Sequence, residues 1–139
     1  MPRDSGSERR TALVTGASSG IGYELARIFA QEGYNLVLVA RSEGRLREIA
    51  RRFEERHGVA VTVLPKDLSL PTAPVEIYRA LADQGTEVDV LVNNAGFTEY
   101  GSFVNTELEH ELGMLQVNVF ALTHLTKLLL PAMVERGWG

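Results

Sequence analysis

The chain has 139 residues, 45% of them hydrophobic and 23% charged, with a formal net charge of -4, which suits one globular domain with its own core and excludes a fibre or a disordered chain. The negative balance gives no broad footprint for nucleic acid, whose binding relies on clustered Lys and Arg, so the expected partner is a small ligand. Cysteine is absent, which excludes disulfides and thiolate chemistry.

Residues 1–10 lack the apolar stretch of a secretory signal and read as a flexible, solvated tail. The longest apolar runs, such as 36–40 and 128–132, are far shorter than a membrane span, so no membrane contact and a cytoplasmic setting are expected. From Thr11 onward, strand-like and helix-like patterns alternate. A short apolar strand, 11–15, is followed by a glycine turn and a helix over about 20–32, whose Ile21, Leu25, Ile28 and Phe29 recur at helical spacing as a buried stripe. Gly33 ends that helix. The second strand, 35–40 (NLVLVA), is apolar throughout and suits a sheet covered on both faces. Ser42 can cap the next helix, which turns Leu46, Ile49, Ala50 and Phe53 to the sheet and a charged face to water. A third strand is expected over 59–64, then a helix through Val75, Ile77, Tyr78 and Leu81 that ends before Gly85. The fourth strand, 88–92, runs directly into Asn93-Asn94-Ala95-Gly96. A loop over 97–106 leads to a long helix over about 107–135.

Four strands joined by crossovers of helix length imply parallel pairing through right-handed connections. The fold expected is the first half of a doubly wound α/β sheet, with strand order 3-2-1-4. Ligands of such sheets sit beyond the carboxyl ends of the strands, where Gly16 to Gly22, Arg41, Asp67 and Asn94 to Gly96 all fall.

Thr15-Gly16-Ala17-Ser18-Ser19-Gly20-Ile21-Gly22 joins the first strand to its helix. Gly16 permits a tight turn, Gly20 lets the backbone approach a bulky ligand, and Gly22 allows close helix packing. Exposed amides at the helix start would then face a diphosphate. No Gly-Lys-Ser/Thr ends the loop, so it is not a phosphate loop for ATP or GTP, and its spacing, G-x-x-x-G-x-G, differs from the usual dinucleotide fingerprint. The second strand ends in neutral Ala40 followed by Arg41, where an enzyme using NAD would place an acid. Arg41 can pair with a 2'-phosphate, which favours NADP over NAD, or can simply solvate the strand end. Asp67 can accept the adenine amino group with Leu68 as an apolar wall, or cap the turn toward Ser69, and the two roles are compatible. His57, His110 and His124 have no metal-site spacing, so no metal is expected.

Together these pieces closely resemble the short-chain dehydrogenase/reductase family: Thr15 to Gly22, Asp67-Leu68, Asn93-Asn94-Ala95-Gly96, and Asn118 within Val117-Asn118-Val119. The resemblance implies that residues 11–139 are a partial NAD(P)-binding domain of the Rossmann type. It places Gly16, Ser18, Ser19, Gly20 and Ile21 along the pyrophosphate and nicotinamide, with Thr15 and Gly22 completing the cofactor motif. Arg41 would meet the 2'-phosphate, Asp67 and Leu68 the adenine, and Asn94, Ala95 and Gly96 the adenosine ribose, with Asn94 also tying the central strands together. Asn118 matches the family's catalytic asparagine, which shapes its helix and holds a water in a proton relay. The residue pattern also allows a plain structural amide there, among Leu115, Val119 and Leu122.

The family's serine and its tyrosine followed four residues later by lysine are not found. Tyr23, Tyr34, Tyr78 and Tyr100 are followed at that distance by Arg27, Leu38, Ala82 and Val104. The family's fifth strand would begin where the sequence stops, so the resemblance implies that the C-terminal part is missing. The complete protein would reduce a carbonyl or oxidise a secondary alcohol by hydride transfer with NADP. The alternative is a non-catalytic dinucleotide-binding or regulatory module complete at 139 residues. The long helix carries more apolar surface than four strands need, counting Leu108, Leu112, Leu115, Val119, Leu122, Leu125 and Leu129 on one flank. That excess suits a homo-oligomer formed through residues 107–135.

Overall fold

The computed structural model describes residues 9–139, so the expected tail lies, as far as residue 8, outside the described residues. Arg9 and Arg10, assigned to that tail by sequence, are tied to the domain. Arg9 donates to the Gly58 carbonyl, the Arg10 carbonyl accepts from the Asn35 amide at 2.9 Å, and the Arg10 guanidinium lies 3.6 Å from the centre of the Trp138 ring.

The elements in chain order are β1 (Thr11–Thr15), α1 (Gly20–Gln31), β2 (Asn35–Ala40), α2 (Glu43–His57), β3 (Val61–Pro65), α3 (Ala73–Asp83) and β4 (Val90–Val92). The last is α4, a continuous helix of 29 residues over Leu108–Arg136. The strands form one sheet in the order β3-β2-β1-β4, all neighbours parallel, as the sequence implies.

The two central strands explain their continuous apolarity. Ala12, Val14, Leu36 and Leu38 pack on one side with Leu46, Ile49 and Phe53 of α2. Leu13, Val37 and Val39 pack on the other side with Ile77 of α3 and Leu125 of α4. Each strand residue contributes to one layer or the other because successive side chains point to opposite faces. At the head of α2, the Ser42 hydroxyl accepts from the Arg45 amide at 3.4 Å, the cap read from sequence.

In α1 the buried stripe is Gly22, Ala26 and Ala30 rather than the larger residues expected. Ile21 is 74% and Ile28 47% exposed. Small residues four apart on one helical face let the α1 backbone lie close over β1 and β2, and the bulky apolar side chains are turned aside.

Val59 lies just before β3, and Val88 and Asp89 just before β4, so both strands are shorter than expected. At β4 the cause is chemical. The Asp89 amide donates to the Thr11 carbonyl at 2.9 Å, but the Thr11 amide donates to the Asp89 carboxylate, also at 2.9 Å, so a side chain takes the acceptor position of the ladder. Arg136 of α4 reaches this corner, donating to the Val88 carbonyl at 2.8 Å and standing 3.7 Å from the Asp89 carboxylate.

Helix α4 buries Val117, Ala121, Leu125, Leu129 and Met133 against the sheet. Leu108, Leu112, Leu115, Val119 and Leu122, which the sequence placed on the same flank as Leu125 and Leu129, are exposed. By length and composition alone α4 is long and apolar enough to cross a membrane, and its inner face packs on the sheet as that of a core helix does.

Candidate functional site

The residues singled out by sequence gather at the carboxyl edge of the sheet, around the turn from β1 to α1. Gly16 and Gly20 adopt positive φ, 64° and 56°, which L side chains rarely occupy. Gly22 is fixed for another reason: a Cβ there would lie 2.2 Å from the Gly16 carbonyl oxygen and 2.3 Å from Asn94 Nδ2. The start of α1 receives no side-chain cap, since Ser19 makes no such bond, and Ser19, Gly20 and Ile21 are exposed. Its first-turn amides therefore stand ready for an anionic ligand, with the positive end of the helix dipole behind them. This is the arrangement a dinucleotide diphosphate requires.

Thr15 lies beneath this loop rather than in it. It is 1% exposed, its hydroxyl donates to the Val92 carbonyl at 3.3 Å and accepts from the Asn94 and Ala95 amides at 3.0 and 2.9 Å. Its side chain holds the end of β4 to the end of β1 and has no lone pair to offer a ligand. Asn94 completes the join by donating through Nδ2 to the Thr15 and Gly16 carbonyls at 3.1 and 3.3 Å. The tie between central strands expected of Asn94 is thus present. Asn93 points elsewhere, donating to the Thr126 hydroxyl of α4 at 3.0 Å.

Arg41 is exposed just past β2, and Ala40 before it is half-buried. Asp67 follows β3 and accepts from both the hydroxyl and the amide of Ser69, at 2.7 and 2.9 Å. The turn-capping role is realised, and the carboxylate keeps further acceptor positions. Leu68 is buried at 8% exposure. The Ser69 hydroxyl, then the Ser69 amide, hold the Asp67 carboxyl below its ordinary value of 3.8; burial opposes them, and the nearby Arg41 charge adds the smallest lowering effect.

A depressed folded-state value means that Asp67 stabilises the fold above pH 3.8, and that this contribution is lost as pH falls through the lower folded value. Asp67→Asn is accordingly expected to be less stable than the wild type at neutral pH. The gap in urea unfolding free energy should close in acid. A gap independent of pH would show that the charge of Asp67 contributes nothing.

Asn118 is exposed, not enclosed by Leu115, Val119 and Leu122 as the sequence suggested. Its amide pairs with the backbone of one residue in both directions: Oδ1 accepts from the Phe97 amide at 3.1 Å and Nδ2 donates to the Phe97 carbonyl at 2.8 Å. The backbone around it, Gln116–Ala121, is a π-helical segment within α4, a form that inserts a residue and re-aims the side chains beside it. Gly96 belongs to the same contact, since a Cβ there would lie 2.9 Å from Asn118 Oδ1.

Sequence reasoning missed two partners. Phe97 acts through its backbone, which no residue type announces. Arg45 donates through Nε to the Ser18 carbonyl of the glycine loop at 3.3 Å, and the signal available was its position three residues after the capping Ser42.

Comparison with known proteins agrees with this geometry. The short chain dehydrogenase family matches residues 10–139. A dehydrogenase/reductase SDR family protein 7-like of Drosophila melanogaster is 37% identical over 134 residues, covering 94% of this chain and 41% of its own length. The ketoacyl reductase HetN of a Nostoc species is 35% identical over 130 residues, covering 94% and 45%. The chain thus spans less than half the length of these two relatives. Among solved structures, a short-chain dehydrogenase from Sphingobium yanoikuyae in complex with NADPH superposes with a TM-score of 0.87 at 39% identity, covering 94% of this chain and 50% of that one.

Proposed function

Because the chain belongs to the short-chain dehydrogenase family, we propose that residues 11–139 are the cofactor-binding part of an NADP-dependent oxidoreductase. Its complete form reduces a carbonyl or oxidises a secondary alcohol on a small molecule. The carrying observation is the uncapped start of α1 behind a positive-φ glycine turn, flanked by neutral Ala40 and cationic Arg41. The NADPH held by the similar Sphingobium protein supports the choice of cofactor.

When bound, the nicotinamide supplies or accepts the hydride. The chain's own residues bind and orient. Amides from Ser18 to Ile21 would receive the pyrophosphate, Arg41 the 2'-phosphate, and Asp67 with Leu68 the adenine. Asn94, Ala95 and Gly96 would hold the adenosine ribose. Asn118, whose amide uses one donor and one acceptor on Phe97, has a second of each to hold a water for proton transfer.

The exposed apolar flank of α4 supports a homo-oligomer formed through residues 107–135. Cysteine-free composition and the packing of the inner face of α4 on the sheet support a cytoplasmic protein without membrane contact. The net charge of -4 speaks against nucleic acid as a partner.

Titration of the full-length protein with NADP and NAD tests the reading, with NADP expected to bind more tightly. Arg41→Ala should weaken NADP about tenfold to a hundredfold, as expected for a charge-assisted hydrogen bond, and leave NAD within a few-fold. Preference for NAD in the unaltered protein would overturn the cofactor assignment.

A further inference from the structure

The glycine loop is gripped from two sides. From β4, Asn94 holds the Thr15 and Gly16 carbonyls. From the β2 side, the Ala17 amide donates to the Val39 carbonyl at 3.3 Å, and Arg45 Nε donates to the Ser18 carbonyl at the same distance. Arg45 is itself restrained from three directions. Its backbone amide is bound by the Ser42 hydroxyl, its Nη1 lies 3.2 Å from Glu48, and its guanidinium stands 5.8 Å from the centre of the Tyr23 ring. The Tyr23 ring in turn packs on buried Phe53, with centroids 5.8 Å apart.

Two consequences follow from elementary chemistry. In a planar trans peptide the carbonyl of one residue and the amide of the next point in opposite directions, so drawing the Ser18 oxygen onto Arg45 turns the Ser19 N–H away from α2. An oxygen that would repel a phosphate is thereby engaged by a cation. The Arg45 side chain also remains 41% exposed, so a fixed positive charge stands at the loop beside the strand end that carries Arg41.

We infer that Arg45 is a second determinant, with Arg41, of preference for a 2'-phosphorylated dinucleotide. The inference rests on the nucleotide reading above. Glu48 offsets part of the charge of Arg45, and Arg45 acts by the positive potential it adds at the loop, its bond to the Ser18 carbonyl fixing where that charge stands.

The test measures NADP and NAD dissociation constants for the full-length wild-type, Arg45→Gln and Arg45→Lys proteins at low and high salt, with thermal unfolding of each. Arg45→Gln is expected to weaken NADP about fivefold to tenfold, with NAD changed less than about twofold and the NADP loss shrinking as salt screens the charge. Arg45→Lys, which keeps the charge, is expected to keep most of the preference. Equal loss of both cofactors, or no loss of either, would overturn the role of Arg45, and if Arg45→Gln does not fold, loss of preference in folded Arg45→Lys does the same. A wild type that shows no preference for NADP instead overturns the reading on which this inference rests.

Discussion

Gly22→Ala is expected to destabilise the domain by about 3 kcal/mol and to abolish dinucleotide binding, although glycine to alanine inside a helix ordinarily stabilises by about 1 kcal/mol. The sign inverts because the methyl group would be 2.2 Å from the Gly16 carbonyl oxygen, 2.3 Å from Asn94 Nδ2 and 2.8 Å from the Gly16 carbonyl carbon. Two of those atoms are backbone and the third is the amide that holds Gly16 to the end of β4, so no flexible side chain can move aside. The only relief is for α1 to lift off the turn. That movement breaks the alignment of its first amides with the loop. Gly44, in the first turn of α2, is the control, because a Cβ there meets nothing within 4 Å. Gly44→Ala should stabilise by about 0.5–1 kcal/mol. Urea unfolding of both variants, with NADP titration, checks the pair, and a Gly22→Ala protein as stable as the wild type would show that α1 and the turn are not in close contact.

The second large effect is expected far from the ligand. Asp89→Ala should cost about 3 kcal/mol, or roughly 10 °C in the unfolding midpoint for a domain of this size. The Asp89 residue is 3% exposed, and its carboxylate is the acceptor for the Thr11 amide and the counter-charge of Arg136. Alanine leaves a buried N–H without a partner and a mostly buried guanidinium without its anion. Asp89→Asn separates the two losses, since its oxygen can still accept from Thr11. If asparagine is nearly neutral, the hydrogen bond to Thr11 dominates; if it costs as much as alanine, the charge facing Arg136 dominates. Wild-type stability in Asp89→Ala would contradict both accounts.

The sheet and its order were legible because apolar runs such as 35–40 carry one reading at every level: buried on both faces, central and parallel. The glycine motif was legible because its residue types are demanded by backbone geometry. The side of α1 that packs was not. Hydrophobicity ranks Ile21 and Ile28 above Gly22 and Ala26, whereas close approach to the sheet ranks them the other way. Asp89 read as a strand residue because a carboxylate that takes the place of a backbone acceptor leaves no periodic trace. The π-helical turn around Asn118 was equally silent, since the exchange of bonds with the Phe97 backbone depends on where a loop 21 residues away returns. The long helix was found, but its exposed flank and its buried face were merged into one, as an inserted residue changes which positions align.

The clasp between Thr15 and Asn94 joins residues 79 apart in the chain. A chain emerging from the ribosome makes β1, its turn and α1 first, yet lacks the side chain that fixes the Gly16 carbonyl until almost the whole alternating unit has been synthesised. Contacts at such separation form late because loop closure must precede them. Competence to hold a nucleotide is therefore acquired only once β4 has joined the sheet, and a growing chain interrupted before β4 would carry the glycine motif without the means to shape it.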